Sequence, residues 1–226
     1  MAVSRGRWRL TSHLALLDTA LTYLVARAAP GGFLRPLGYA GAAAADELIP
    51  FTRLVVEMPP RHGKSEMVSR YLPAWFLGMN PNGRVILASY EARFASLWGR
   101  RARGVLRDHG RELFGVRPKH EMGAANDWEM EGTDGGMVTA GIAGPITGHG
   151  ADLLIVDDAV KNAEEAASTV IQERNAEWWV STAYTRLEPS GVCVVMGTRW
   201  HANDLTGRIL ELDAQAAEAA AEAEAE

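Results

Sequence analysis

The sequence predicts an α/β fold, a mainly parallel sheet flanked by helices, and three observations carry that prediction. Nearly continuous apolar runs of strand length recur at Leu54-Val55-Val56, Val85-Ile86-Leu87-Ala88, Leu153-Leu154-Ile155-Val156 and Val192-Cys193-Val194-Val195-Met196. Such runs suit strands covered on both faces. Segments of helical length separate them, which asks for β-α-β crossovers. Glycine, charged or hydroxyl residues follow several of the runs, at the strand ends where ligands gather in open α/β sheets.

Taken in order, Leu14, Leu17, Leu21 and Leu24 recur at three- and four-residue spacing and predict an amphipathic helix over 12–28, stopped by Pro30-Gly31-Gly32. The Gly- and Ala-rich stretch to Pro50 has little periodicity and reads as a connector. Leu54 to Met58 is the first strand, closed by Pro59-Pro60, and Ser65 to Leu77 is the helix after it. The turn Asn80-Pro81-Asn82-Gly83 introduces a second strand, Arg84 to Ser89, and an Arg-rich helix, Glu91 to His109. Asp127–Glu131 and Met137–Ala140 flank Gly132-Thr133-Asp134-Gly135-Gly136 and predict a hairpin. A glycine-rich loop, Gly141 to Gly150, leads to the third apolar strand. A helix over 168–187, the fourth strand and a last helix from Asp204 to Leu212 complete the alternation. Three regions follow: a helix and connector over 1–50, a nucleotide-fold domain over 51–212, and a tail over 213–226. From Ala214 onward the tail contains only Ala, Glu and one Gln, with good helix propensity but no face to bury. Solvated helix, disorder and the product of a truncated reading frame all remain open for it.

Composition excludes several classes. With 226 residues, 47% hydrophobic and 23% charged, the chain is neither a disulfide miniprotein nor a disordered or collagenous one. No apolar run approaches the ~18 residues that span a bilayer, and Thr11, Ser12, His13 and Asp18 interrupt any signal-like core, so a soluble intracellular protein without membrane contact is expected. Cys193 is the only cysteine, which rules out an intrachain disulfide or a cysteine metal cluster, and its apolar surroundings do not suit a nucleophile. The net charge of -5 hides a division: residues 1–119 carry 18 Lys+Arg against 8 Asp+Glu, whereas 120–226 carry 5 against 20. A basic half is compatible with phosphate-rich partners; mixing of both signs on one folded surface explains it equally well.

Three stretches carry chemistry. Met58-Pro59-Pro60-Arg61-His62-Gly63-Lys64-Ser65 lies between a buried strand and a helix, where backbone N–H groups wrap phosphates. Gly63 permits close backbone approach, Lys64 brings a cation to the terminal phosphates, and the Ser65 hydroxyl can ligate Mg²⁺. Arg61 is a second cation beside them. The usual pattern begins with Gly where this chain has Met58. Leu153-Leu154-Ile155-Val156-Asp157-Asp158 ends a buried strand in two acids, Asp157 suited to metal and Asp158 to activating water. Met196-Gly197-Thr198-Arg199-Trp200-His201 ends the last strand, where the Thr198 hydroxyl could sense a γ-phosphate and Arg199 could pass that contact on. Trp178-Trp179 could suggest base stacking, but their helical neighbours favour core packing.

In this order the motifs resemble the N-terminal ATPase part of tailed-phage or prophage terminase large subunits, the motors that package DNA into empty capsids. The phrases that carry the resemblance are Met58 to Glu66, Gly144-Pro145-Ile146-Thr147-Gly148-His149-Gly150-Ala151-Asp152, Leu154 to Asn162, and Gly197 to His201. Similarity extends from about Leu54 to Leu212. It implies a P-loop NTPase of the additional-strand, catalytic-glutamate type, with the last strand between the phosphate-loop strand and the acidic strand. It also implies ATP and Mg²⁺ as cofactors. The site residues would be Pro60, Arg61, His62, Gly63, Lys64, Ser65 and Glu66 around the nucleotide, Ser65 and Asp157 on the metal, Asp158 as catalytic acid, and Arg61, Thr198 and Arg199 in catalysis and coupling. Family members usually place Glu where this chain has Asp158.

Double-stranded DNA, a portal, a small terminase subunit and a homo-oligomeric ring are the implied partners, and the bacterial host cytoplasm is the implied setting. An arginine from a neighbouring subunit often completes such sites; the Gly144–Asp152 loop offers His149 instead, with Arg100, Arg101 and Arg103 as alternatives. Complete large subunits continue into a nuclease domain, and this sequence ends about where that would begin, so nuclease activity is not expected of it. Two rival readings are a helicase-type P-loop DNA-dependent ATPase and a non-catalytic nucleotide-binding remnant or assembly module.

Overall fold

A computed structural model of the chain describes residues 11–28, 51–120 and 126–225. The connector predicted over 29–50, with its Pro30-Gly31-Gly32 stop, lies outside the described residues, as do residues 1–10. The elements are α1 (Ser12–Ala28), β1 (Arg53–Glu57), α2 (Leu72–Met79), β2 (Arg84–Ser89), α3 (Ala92–Phe114), β3 (Asp127–Glu129), β4 (Gly136–Gly141), β5 (Ala151–Asp157), α4 (Ala163–Ala167), α5 (Thr169–Trp178), β6 (Leu187–Gly197) and α6 (Leu205–Ala225). A wider π-helical stretch, Glu66–Tyr71, leads into α2.

Six strands form one sheet in the order β1-β6-β5-β2-β4-β3. All neighbours are parallel except β3, which runs antiparallel to β4. The fold is therefore the predicted α/β class, and β6 lies between the phosphate-loop strand β1 and the acidic strand β5, as in P-loop NTPases of the additional-strand type. The hairpin expected around Gly132-Gly136 forms, and its second strand also joins the main sheet beside β2.

Alternation along the strands explains why their apolar runs are continuous. On β5, Leu153 and Ile155 face one core with Val85, Leu87, Val192 and Val194, while Leu154 and Val156 face another with Ile86, Ala88, Cys193 and Val195. Helices cover both faces, so neither parity can be polar. The first core takes in Leu14, Leu17, Leu21 and Leu24 of α1, Phe76 and Leu77 of α2, and Leu106 of α3. The second takes Trp178 and Trp179, both buried, which accounts for that pair as packing.

Some helices run beyond their expected ends. The Arg-rich helix continues to Phe114, where Gly115 adopts a left-handed φ of 75° and its N–H and that of Val116 close the last carbonyls of Arg111 and Gly110. The last helix continues through the Ala/Glu stretch as α6, exposed from Leu210 to Ala223. No helix among the described residues is long and apolar enough to cross a membrane.

Candidate functional site

The sheet register aligns the ends of the motif-bearing strands. Glu57 pairs with Gly197, Asp157 with Met196, and Ser89 with Asp157, so the segments that follow leave from one edge. After β1, Arg61 and Gly63 take left-handed φ values of 65° and 88°, turning the loop back over the strand end. The Gly63 carbonyl then accepts from Met67 N–H, starting the helix that carries Ser65 and Ser69. At the other end of the chain, α1 meets this loop: His13 Nε2 lies 3.3 Å from the His62 carbonyl, with the two imidazoles edge to face.

The two acids reach the loop by different routes. Asp157 continues the alternation of Leu153 and Ile155 and so faces the helix after the phosphate loop, fully buried. Ser65 Oγ donates to Asp157 Oδ1 at 3.2 Å, and Ser69 Oγ to Oδ2 at 2.7 Å. Asp158 would point to the opposite face if the strand continued. Its φ of 49° breaks the alternation, and the left-handed turn is one that Asp tolerates better than most residues. The backbone holds that turn: Asp158 N–H donates to the Met196 carbonyl at 2.9 Å, and Tyr90 N–H to the Asp158 carbonyl at 3.0 Å.

Thus turned, Asp158 meets the ammonium of Lys64, whose Nζ lies 2.6 and 2.7 Å from its two oxygens. Asp158 Oδ1 also accepts from Thr198 N–H at 3.3 Å, while Thr198 Oγ1 donates to the Met58 carbonyl at 3.3 Å. A cavity of about 370 Å³ opens over this cluster, lined by Pro60, Arg61, Gly63, Lys64, Ser65 and Glu66 from the loop together with Asp158 and Thr198. His62 is not on its wall, and its Nδ1 lies 3.0 Å from the Pro60 carbonyl. Arg199 stands apart as well. Its Nη1 donates to Glu57 Oε1 at 2.8 Å and its Nε lies 3.3 Å from Asp204 Oδ1, so it ties the end of β1 to the start of α6.

Several residues at the site had no role in the sequence reading: Tyr90, Phe94, Trp98, Lys161 and Trp200 on the cavity wall, and Ser69 beneath it. Four of these had a readable signal. Ser69 follows Ser65 by four residues, and Tyr90, Phe94 and Trp98 share the same spacing, which puts Phe94 and Trp98 on one face of α3 with Tyr90 just before its start. Their ring centroids are 5.2 and 6.0 Å apart along the series. Among the arginines named as alternatives, Arg101 lies over the Trp98 ring and 3.5 Å from Glu66, and Arg103 donates to the Lys119 carbonyl.

Burial pushes the Asp157 carboxyl from its ordinary 3.8 up to about 6, and the neighbouring charge of Asp158 adds to the rise. The Ser69 hydrogen bond, the Lys64 charge and the Ser65 hydrogen bond pull the other way. A carboxyl raised on folding contributes stability that is complete below about pH 4 and lost as pH rises through about 6. By that linkage, ionising Asp157 in the folded chain costs on the order of 3 kcal/mol at neutral pH. Asp157→Asn is therefore expected to raise the melting temperature by several degrees at pH 8 and to leave it nearly unchanged at pH 4. Thermal melts of both proteins in the two buffers check this; equal shifts at both pH values would contradict it. Cys193 is fully buried and its thiol is pushed up to about 12, which removes it from nucleophilic chemistry.

The donor set suits a hard divalent cation. Ser65 and Asp157 offer only oxygen, and the buried carboxylate carries a charge that a cation would relieve. Among the described residues no group of three or more His, Cys, Asp or Glu side chains could hold a metal, so a cation here would take its remaining ligands from water and a bound phosphate.

Residues 55–226 match the family described as "Terminase large subunit, T4likevirus-type, N-terminal". Among solved structures, the crystal structure of the HK97 bacteriophage large terminase is similar at 15% sequence identity and a TM-score of 0.49, over 77% of this chain and 35% of that one. The present chain thus spans about a third of that terminase's length. No curated protein matches. Because the family match runs from β1 to the end of α6 and covers well over half of the sequence, the chain belongs to the family of terminase large-subunit N-terminal regions.

Proposed function

We propose that the chain is the Mg²⁺-dependent ATP-hydrolysing part of a viral DNA-packaging motor. The observation that carries this reading is the convergence of Lys64, Ser65, Asp158 and Thr198, from three distant stretches of sequence, on one cavity at one sheet edge, with Asp157 buried beneath Ser65. Backbone groups of Pro60 to Glu66 wrap the phosphates, with Arg61 as an additional cation. Lys64 leaves Asp158 and takes the terminal phosphates. Ser65 and Asp157 hold the metal, which when bound neutralises charge on the phosphate oxygens.

Released from Lys64, Asp158 orients a water molecule and accepts its proton as the water oxygen bonds to the γ-phosphorus. The bond from that phosphorus to the β-phosphate oxygen breaks, and ADP departs with the electron pair. Thr198 contacts both Asp158 and the phosphate-loop strand, so it reports the state of the γ-phosphate. Arg199, bonded to Glu57 and near Asp204, passes that state to α6. Assembled as a ring on a portal, with a small subunit presenting duplex DNA, such steps would drive translocation.

Phosphate release from the wild-type chain tests this reading. Turnover is expected with Mg²⁺ and ATP, to rise with added duplex DNA without strand separation, and to stop when EDTA removes the metal. ATP binding without turnover under all these conditions would favour the non-catalytic module, and DNA unwinding would favour the helicase-type reading.

A further inference from the structure

We propose that Lys161 is a further catalytic residue, its ammonium holding the outer oxygens of the terminal phosphoryl group as the bond to the departing ADP oxygen breaks. The inference rests on the ATPase reading above and deepens it. Three cations line the cavity, Arg61, Lys64 and Lys161, against two acids, Glu66 and Asp158. Both acids are already matched: Asp158 pairs with Lys64, and Glu66 with Arg70 and more distantly with Arg101. Lys161 is exposed, and its ammonium makes no hydrogen bond or ion pair among the described residues. Lys161 therefore lines the cavity with no ion pair of its own among the described residues, three residues beyond the acid that would take the proton.

The backbone beneath Lys161 is held on both sides, which separates it from an ordinary solvated lysine. On one side the Asp158 turn is bonded to β6 and to Tyr90. On the other, Asn162 Oδ1 accepts from Glu165 N–H at 2.9 Å, while Glu165 Oε2 accepts from Lys161 N–H at 2.9 Å. This reciprocal pair at the start of α4 resembles a capping box, and it fixes where the Lys161 side chain begins. In phosphoryl transfer the transferring oxygens spread their charge around the phosphorus, and a preorganised cation stabilises that charge more than the ground state. Placed on the segment after Asp158, Lys161 would supply this cation within the chain. It keeps its own protons: the water proton goes to Asp158 and the electron pair to ADP.

The test compares wild type, Lys161→Met, Lys161→Arg and Lys64→Ala, with the two variants at the exposed Lys161 position checked for an unchanged melting temperature. Lys161→Met is expected to lower kcat about 100-fold with little change in KM. It should weaken binding of ADP with aluminium fluoride, a mimic of the transferring phosphoryl group, by a similar factor, while binding of ADP alone stays within about twofold. Lys161→Arg is expected to recover much of both losses, which a purely structural role would not produce. Wild-type turnover that is abolished by Lys64→Ala but untouched by Lys161→Met would overturn the Lys161 assignment alone. Failure of the wild-type chain to bind nucleotide would overturn the ATPase reading, and this assignment with it.

Discussion

Asp158→Asn is expected to cut ATP turnover about 10³-fold while tightening nucleotide binding. The loss follows from removing the only proton acceptor that reaches the cavity from the acidic strand, a role worth typically 10² to 10⁴ in rate. The gain in binding follows from the ion pair. Lys64 is held by both oxygens of Asp158, at 2.6 and 2.7 Å, with side-chain exposures of only 7% and 24%. A phosphate must displace that carboxylate before it can use the ammonium. Asn at 158 keeps the shape and accepts one hydrogen bond but offers no charge, so the displacement becomes easier. Asn also tolerates the left-handed backbone at this position, which keeps the fold intact. Phosphate release and titration with a fluorescent ATP analogue measure the two effects; weaker binding in the variant would show that the pair does not compete with nucleotide.

Lys64→Ala is expected to give the reverse pattern, with nucleotide affinity falling about 100-fold or more and turnover lost with it. The substitution removes a charge-assisted contact to phosphate and leaves Asp158 without its cation beside the buried Asp157. Since the Lys64 charge helps to hold the Asp157 carboxyl down, its removal lets that group rise further. The variant should therefore also lose stability at neutral pH and recover it in acid. Calorimetric titration with Mg²⁺ and ATP, paired with thermal melts at pH 4 and pH 8, measures both consequences. Nucleotide affinity equal to that of wild type would remove the phosphate loop from the site. Together the two variants separate binding from hydrolysis, because one removes the competitor for the ammonium and the other removes the ammonium itself.

Much of the site was legible because its chemistry sits where local pattern changes. Lys64 and Ser65 follow a strand and open a helix, the Asp157-Asp158 pair terminates a run of apolar residues, and Thr198 follows another. Each is a departure from a strand pattern at a strand end, which a linear reading detects. Lys161 lies within a phrase that carries the resemblance but was given no role there, and its place on the cavity wall singles it out. Tyr90, Phe94 and Trp98 had the spacing of a helical stripe, which in a sequence is the same whether the stripe faces a core or a cavity. Arg199 shows the opposite difference: it belongs to a legible motif, yet it lies off the cavity wall with Glu57 and Asp204.

By itself the sequence determined the element types, the two-faced burial of the central strands and the apolar stripe of α1, because these depend on periodicities of 2 and 3.6 that neighbouring residues impose on one another. The motif resemblance added the placement of β6 between β1 and β5. Only the tertiary structure decided that β4, still paired with β3, also joins β2, that β6 extends back to Leu187, and that Asp158 turns out of its strand toward Lys64. Those outcomes depend on partners 94 residues apart, as for Lys64 and Asp158, or on hydrogen bonds from β6 and Tyr90 that hold an unfavourable φ. Local propensity has no access to either, since the energy that selects them exists only once the sheet has assembled.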